Sequence, residues 1–250
     1  MKSSTKNRVI GIILILAMST GLIVSGLSMF MKPAQSQNTS NQTNQSTSAD
    51  LKNETEESKE SSPSIKEARA AVTGYFSSLK DGNVAKAYTY CEEEMPDLFA
   101  LKEKQKEFDE SIKNEPKEIQ DIMKDYYSAS AAQYVREYAI EDSVADHDDA
   151  AFLVRIQTAD FSKLQPRDET RYNEAIQEYV SSHLEELNNM VNEKSQEEAD
   201  NFLRAMKMKD YYADVKEDLK ALPQTDLQIQ VLSKKQADGT YKISLMESAE

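Results

Sequence analysis

Residues 227–245 read LQIQVLSKKQADGTYKISL, and residues 148–161 read DDAAFLVRIQTADF. Leu227, Ile229 and Val231 alternate with polar residues, Asp238-Gly239 supplies a hairpin turn, and Thr240 to Leu245 forms a second β-rich run. Upstream, Phe152, Val154 and Ile156 share one strand face and leave Arg155 and Gln157 on the other. A polar turn at Ala145-Asp146-His147-Asp148 joins that strand to an earlier run in which Tyr134, Arg136, Tyr138 and Ile140 alternate with Val135, Glu137 and Ala139. These segments predict two hairpins.

Around the hairpins the apolar period lengthens to that of helices. Ser64-Ile65-Lys66-Glu67 reads as a capping box, followed by Ile65, Ala68, Val72, Phe76 and Leu79 until Asp81-Gly82 stops the helix. Asn83 caps a second helix carrying Val84, Ala87 or Tyr88, and Cys91 on its inner face. Pro96 opens a third with Leu98, Leu101, Gln105, Phe108 and Ile112, and Pro116 a fourth with Ile119, Ile122, Met123 and Tyr126. Between the hairpins one helix is expected from about Arg167 to Asn192, with Ile176, Val180, Leu184, Leu187 and Val191 in register. Another opens at the capping box Ser195-Gln196-Glu197-Glu198, and its stripe loses phase near Lys207, where a bend is expected. The order helices, hairpin, helices, hairpin predicts an α+β fold with a mainly antiparallel sheet packed on helices, over residues 64–250.

The first 63 residues have a different composition. Val9 to Met31 holds no charge, and its 23 residues at the helical rise span about 34 Å, enough for a bilayer core of about 30 Å. Lys2, Lys6 and Arg8 precede it while Lys32 follows, so residues 1–8 are assigned to the cytoplasm and the bulk of the chain to the outside. A cleaved signal peptide is the competing reading, with Ala34-Gln35-Ser36 as a small-x-small site and a secreted product. Residues 32–63 are rich in Ser, Thr, Asn, Gln and Glu and lack the apolar surface to offset ordering entropy. They are expected to be a disordered linker with an end-to-end distance of roughly 30 Å. Four Asn-x-Ser/Thr sequons, at Asn38, Asn41, Asn44 and Asn53, arise readily in such a tract.

The first helix SIKEARAAVTGYFSSLKDGNVAKAYTYC, the strand ending DDAAFLVRIQTADF and the terminal LQIQVLSKKQADGTYKISL resemble the NTF2-like anchored proteins and lipoproteins of uncharacterised function from Gram-positive bacteria. The resemblance covers residues 64 to 246 and rests on Ala87-Tyr88 after the Gly82 stop and on Asp238 to Ile243. It departs at Tyr241, where those families usually carry Trp, and in having no lipobox Cys. What the resemblance implies is a cone-like α+β fold with room for a pocket and no single activity.

Composition bounds the chemistry. There are 44 acidic against 30 basic side chains over 250 residues, so clustered phosphate-neutralising cations are missing and nucleic acid is not expected as a partner. One Cys closes no internal disulfide. Asp146-His147-Asp148-Asp149 offers carboxylates and an imidazole in one turn, but without an EF-hand spacing it reads as a solvated turn. His183 falls on a helical apolar stripe and reads as a packed or boundary residue. Cys91 reads as a buried thiol, and the pairs Tyr126-Tyr127 and Tyr211-Tyr212 as core-edge residues that also suit a pocket or interface. No catalytic, cofactor-binding or metal-ligating set is assigned. Three functions stay open: a membrane-anchored extracytoplasmic binding or interaction module, a scaffold subunit of an envelope assembly such as a conjugation machine, and an NTF2-like hydrolase or isomerase, which requires His147 or His183 to face a cavity beside an acid or Tyr.

Overall fold

The computed structural model describes residues 63–249. The cytoplasmic, transmembrane and linker readings therefore lie almost wholly outside the described residues. Pro63, expected to end the linker, opens the first helix. Among the described residues no helix is long and apolar enough to cross a membrane.

The two hairpins form one four-stranded antiparallel sheet, β1 (Glu137–Asp146), β2 (Asp149–Ala159), β3 (Gln224–Lys235) and β4 (Tyr241–Ser248), in the order β1-β2-β3-β4. Phe152, Val154 and Ile156 are buried as the alternation predicts, as are Ile229, Val231, Ile243 and Met246 on the neighbouring strands. Each such side chain gains about 1.5–3 kcal/mol from leaving water. Two bulges adjust the register, one between Ile140 and Asp142, the other between Leu232 and Ser233. β1 starts later than its alternation suggests. Tyr134 sits in a 3-10 turn, and Arg136 turns away from the sheet to donate from Nη1 to the Leu222 carbonyl at 2.8 Å and from Nη2 to that of Leu219 at 2.5 Å. The guanidinium thereby satisfies carbonyls at the end of the last helix.

Helix α1 (Pro63–Lys80) lies across all four strands and buries Ile65, Ala68, Val72, Tyr75, Phe76 and Leu79. Its exit requires Gly82, whose φ is +70° and where a Cβ would stand 2.1 Å from the Ser128 carbonyl oxygen. Helix α2 (Val84–Tyr88) is capped by the Asn83 side chain, which accepts from the Lys86 amide. It ends before Cys91, which instead bridges to Ile243 in parallel fashion beside β4. Helix α3 (Leu101–Ile112) begins well after Pro96, because the Asp97 carboxylate takes the amides of Phe99 and Lys102 and Ala100 adopts a left-handed φ of 52°. Helix α4 (Lys117–Ala131) starts directly after Pro116 as expected.

The expected helix from Arg167 to Asn192 is two helices, α5 (Thr170–Ser182) and α6 (Leu184–Glu193), broken at His183 with φ −118° and ψ 29°. The break turns Leu184 out to solvent while Leu187 stays buried. Helix α7 (Gln196–Ala221) follows a Ser195 cap and is continuous over 26 residues, with no interruption at Lys207. Its stripe changes phase there because the helix serves two cores. Leu203 packs with Ile176, Val180 and Leu187 of the α5–α6 arm, whereas Met208, Tyr211, Tyr212, Val215 and Leu219 join the main core under the sheet. α4 packs along α7.

Candidate functional site

Three constellations gather the chemistry-bearing side chains. The first is a buried layer where α1, α2 and the segment after α2 meet. The Tyr75 and Tyr88 rings pack edge to face at 6.0 Å, with both hydroxyls buried close to each other and to Asp97. Burial, then the neighbouring acidic groups, raises both phenols well above their usual range. The Cys91 thiol is pushed up to about 12 by burial, with Asp97 adding to it and Lys102 and Lys242 opposing it. A thiol so raised stays protonated at neutral pH and is a poor nucleophile, which matches the reading of Cys91 as a buried structural thiol. Tyr75, Tyr88 and Cys91 thus keep their protons near pH 7 and serve the packing of this layer.

The second constellation clasps the helical arm to α7. Arg167 donates to both Asp218 oxygens, at 2.8 and 2.5 Å, and the Tyr172 hydroxyl donates to Asp214 at 2.5 Å while Arg171 pairs with the same carboxylate. Beside them Lys207, with a side chain 4% exposed, donates to Glu169 at 2.7 Å. Opposite charges meet here pair by pair, the arrangement of a structural clasp rather than of a binding cleft.

The third is an open groove of about 730 Å³ between α4 and α7. Ile122, Tyr212 and Ala213 form its apolar floor, and its walls carry both signs, with Lys117, Lys209 and Lys216 against Glu118, Asp121 and Asp125. Tyr212 is stacked on Tyr126 at 4.4 Å, which holds the floor rigid. Lys117 pairs with Asp121 along α4, and Lys216 reaches from α7 to Asp125. Polar walls over an apolar floor suit an amphipathic partner surface. Of the Tyr126-Tyr127 and Tyr211-Tyr212 pairs, Tyr126 and Tyr212 meet between α4 and α7, Tyr127 stacks on Phe108 and Tyr211 packs edge-on against Tyr172; Tyr212 alone of the four lines the groove.

The two histidines stay apart. His147 is in the β1–β2 turn with φ 54°, its imidazole 92% exposed and 2.5 Å from Asp146. His183, expected on a packed stripe, is exposed at the α5–α6 break and stacks on Tyr179 at 4.0 Å. An open hollow beside α6 includes His183, Glu185, Glu186 and Glu193. His183 is exposed there, with the three glutamates lining the same open hollow. Neither Asp146-His147-Asp148-Asp149 nor any other group of three His, Cys, Asp or Glu side chains converges to hold a metal among the described residues. Sequence reasoning missed the α4–α7 groove, since its walls lie some 90 positions apart in the chain and no short motif marks it. No family model, curated protein or solved structure matches the chain.

Proposed function

We propose that the chain is a membrane-anchored extracytoplasmic interaction module of NTF2-like build, held by residues 9–31, displayed on residues 32–63, and engaging an envelope protein through the α4–α7 groove. The observation that carries the reading is the groove itself: a floor of Ile122, Ala213 and a Tyr212 stacked on Tyr126, flanked by lysines and carboxylates. The uncharged stretch Val9 to Met31 supports the anchor. The antiparallel sheet with α1 laid across it supports the NTF2-like reading. Mixed charge and an apolar floor favour a protein surface over nucleic acid, for which a cationic stripe is needed.

The test is a photoreactive residue placed at Ile122 in the full chain in intact cells of the source organism, with Glu174, exposed on α5, as the control position. A discrete adduct from Ile122 that weakens with Ala213→Arg and is absent at Glu174 is the expected result. Equal labelling at both positions, or none, refutes the groove as the contact.

A further inference from the structure

The face of the sheet turned away from α1 carries an ordered pattern. The strand register brings Val144, Ala151, Leu232 and Leu245 into one row across β1, β2, β3 and β4. Val144 is 54% exposed, the other three are partly exposed, and none of the four belongs to either hydrophobic core. Two residues further along each strand, allowing for the bulge in β4, the next outward row is Asp146, Asp149, Lys234 and Lys242. Acid therefore occupies the β1–β2 half of that row and base the β3–β4 half.

This division of charge fits a second copy of the same sheet. Two sheets stacked face to face about a two-fold axis parallel to the strands place β1 over the other copy's β4 and β2 over its β3. Asp146 then faces Lys242, Asp149 faces Lys234, and both pairs repeat by symmetry. In the apolar row the same operation sets Ala151 against Leu232 and Val144 against Leu245, small opposite large. A two-fold axis perpendicular to the strands and centred on the apolar row instead brings Asp146 over Asp142 and Lys234 over Gln230. On the row beyond, Asp142 and Glu247, both exposed, fall opposite each other at the outer corners, so the parallel axis sets two like-charge contacts against four opposite-charge ones. At the usual strand spacing and rise the face measures about 20 by 30 Å, about 600 Å² per copy, which is the lower end of specific interfaces.

We propose that this sheet face is the contact between two copies of the chain, related by a two-fold axis parallel to the strands and registered by the Asp149–Lys234 and Asp146–Lys242 pairs. The contact lies on a different surface from the α4–α7 groove and does not depend on what that groove binds.

Charge reversal tests the geometry. Two differently tagged full-length copies are co-expressed, solubilised in mild detergent and co-purified. Asp149→Lys against itself and Lys234→Asp against itself each place like charges face to face and are expected to lose co-purification by about tenfold. Asp149→Lys against Lys234→Asp restores opposite charges at every Asp149–Lys234 contact and is expected to recover the parent level. Unchanged circular dichroism and melting of each variant confirm that the fold is retained. Absence of parent co-purification overturns the proposal. Equal recovery of all pairs also overturns it, because association then arises elsewhere, for instance through residues 9–31. Failure of the mixed pair to recover overturns the proposed axis.

Discussion

Glu169 and Lys207 lie 38 positions apart and meet where the helical arm joins the main core. At 2.7 Å and an effective dielectric near 20, the gross attraction is about 6 kcal/mol, most of it offset by the cost of dehydrating both groups. Removing one partner exposes that cost, and the two sides are unequal. Glu169→Ala leaves an ammonium on a side chain 4% exposed, so the expected loss is about 3–5 kcal/mol. Lys207→Met leaves a carboxylate on a side chain 18% exposed, which water reaches more readily, and a methionine that fits the apolar surroundings; its expected loss is about 1 kcal/mol. The double variant Glu169→Ala/Lys207→Met should resemble Lys207→Met, giving a coupling of about 3–5 kcal/mol. Urea unfolding of residues 63–250 at pH 7, followed by circular dichroism, reads all four corners of the cycle. If Lys207→Met proves as costly as Glu169→Ala, or the coupling is near zero, the burial argument is wrong.

Gly82→Ala should cost roughly 2–4 kcal/mol, combining a left-handed φ with the 2.1 Å approach to the Ser128 oxygen. Gly239→Ala, with positive φ but nothing within 4 Å of its Cβ, should cost only about 1 kcal/mol; equal losses in thermal melts would show that the Ser128 contact is immaterial. The raised Cys91 pKa has a definite sign in linkage. Burial pushes it up from the ordinary thiol value of 9.0 to about 12, so its contribution is complete below about pH 9 and is lost as pH climbs toward 12. Cys91→Val should therefore flatten the fall in stability between pH 9 and 11, and the native thiol should resist alkylation at pH 8 until the protein unfolds; rapid native labelling would contradict its burial. Asp238 has its carboxyl held below the usual range by hydrogen bonds from the Thr240 side chain and amide. That contribution is present above about pH 4 and fades as pH falls further, so Asp238→Asn should lower the neutral plateau slightly and flatten the acid limb of the pH–stability curve, the two proteins converging at low pH.

Much of the fold was written in local periodicity. The inward faces of β2 and β3 follow from alternation alone, and α1 from its apolar stripe and its Gly82 stop, because each signal sits within one element. The failures share a cause in contacts distant along the chain or in small polar competitors. Asp97 captured the amides of Phe99 and Lys102 and delayed α3, although Pro96 marks a good helix start. The break at His183 carries no Gly or Pro, so a continuous stripe through Leu184 was the natural reading. The change of phase at Lys207 was visible in the sequence, but its origin, a helix shared between two cores with a buried ion pair at the crossing, depends on Glu169 far upstream. The groove and the apolar row were illegible for related reasons. One needs α4 and α7 side by side, and the other needs the bulges that set the register of β1 and β4.

The account turns on a domain held outside the membrane to meet a protein partner. The most direct measurement is crosslinking with mass spectrometry on intact cells of the source organism, comparing the full chain with one lacking residues 1–32. The account predicts a reproducible partner, crosslinked through lysines of the groove such as Lys117, Lys209 and Lys216, that is lost when the anchor is removed. Crosslinks confined to cytoplasmic proteins, or an unchanged partner set without residues 1–32, would contradict it.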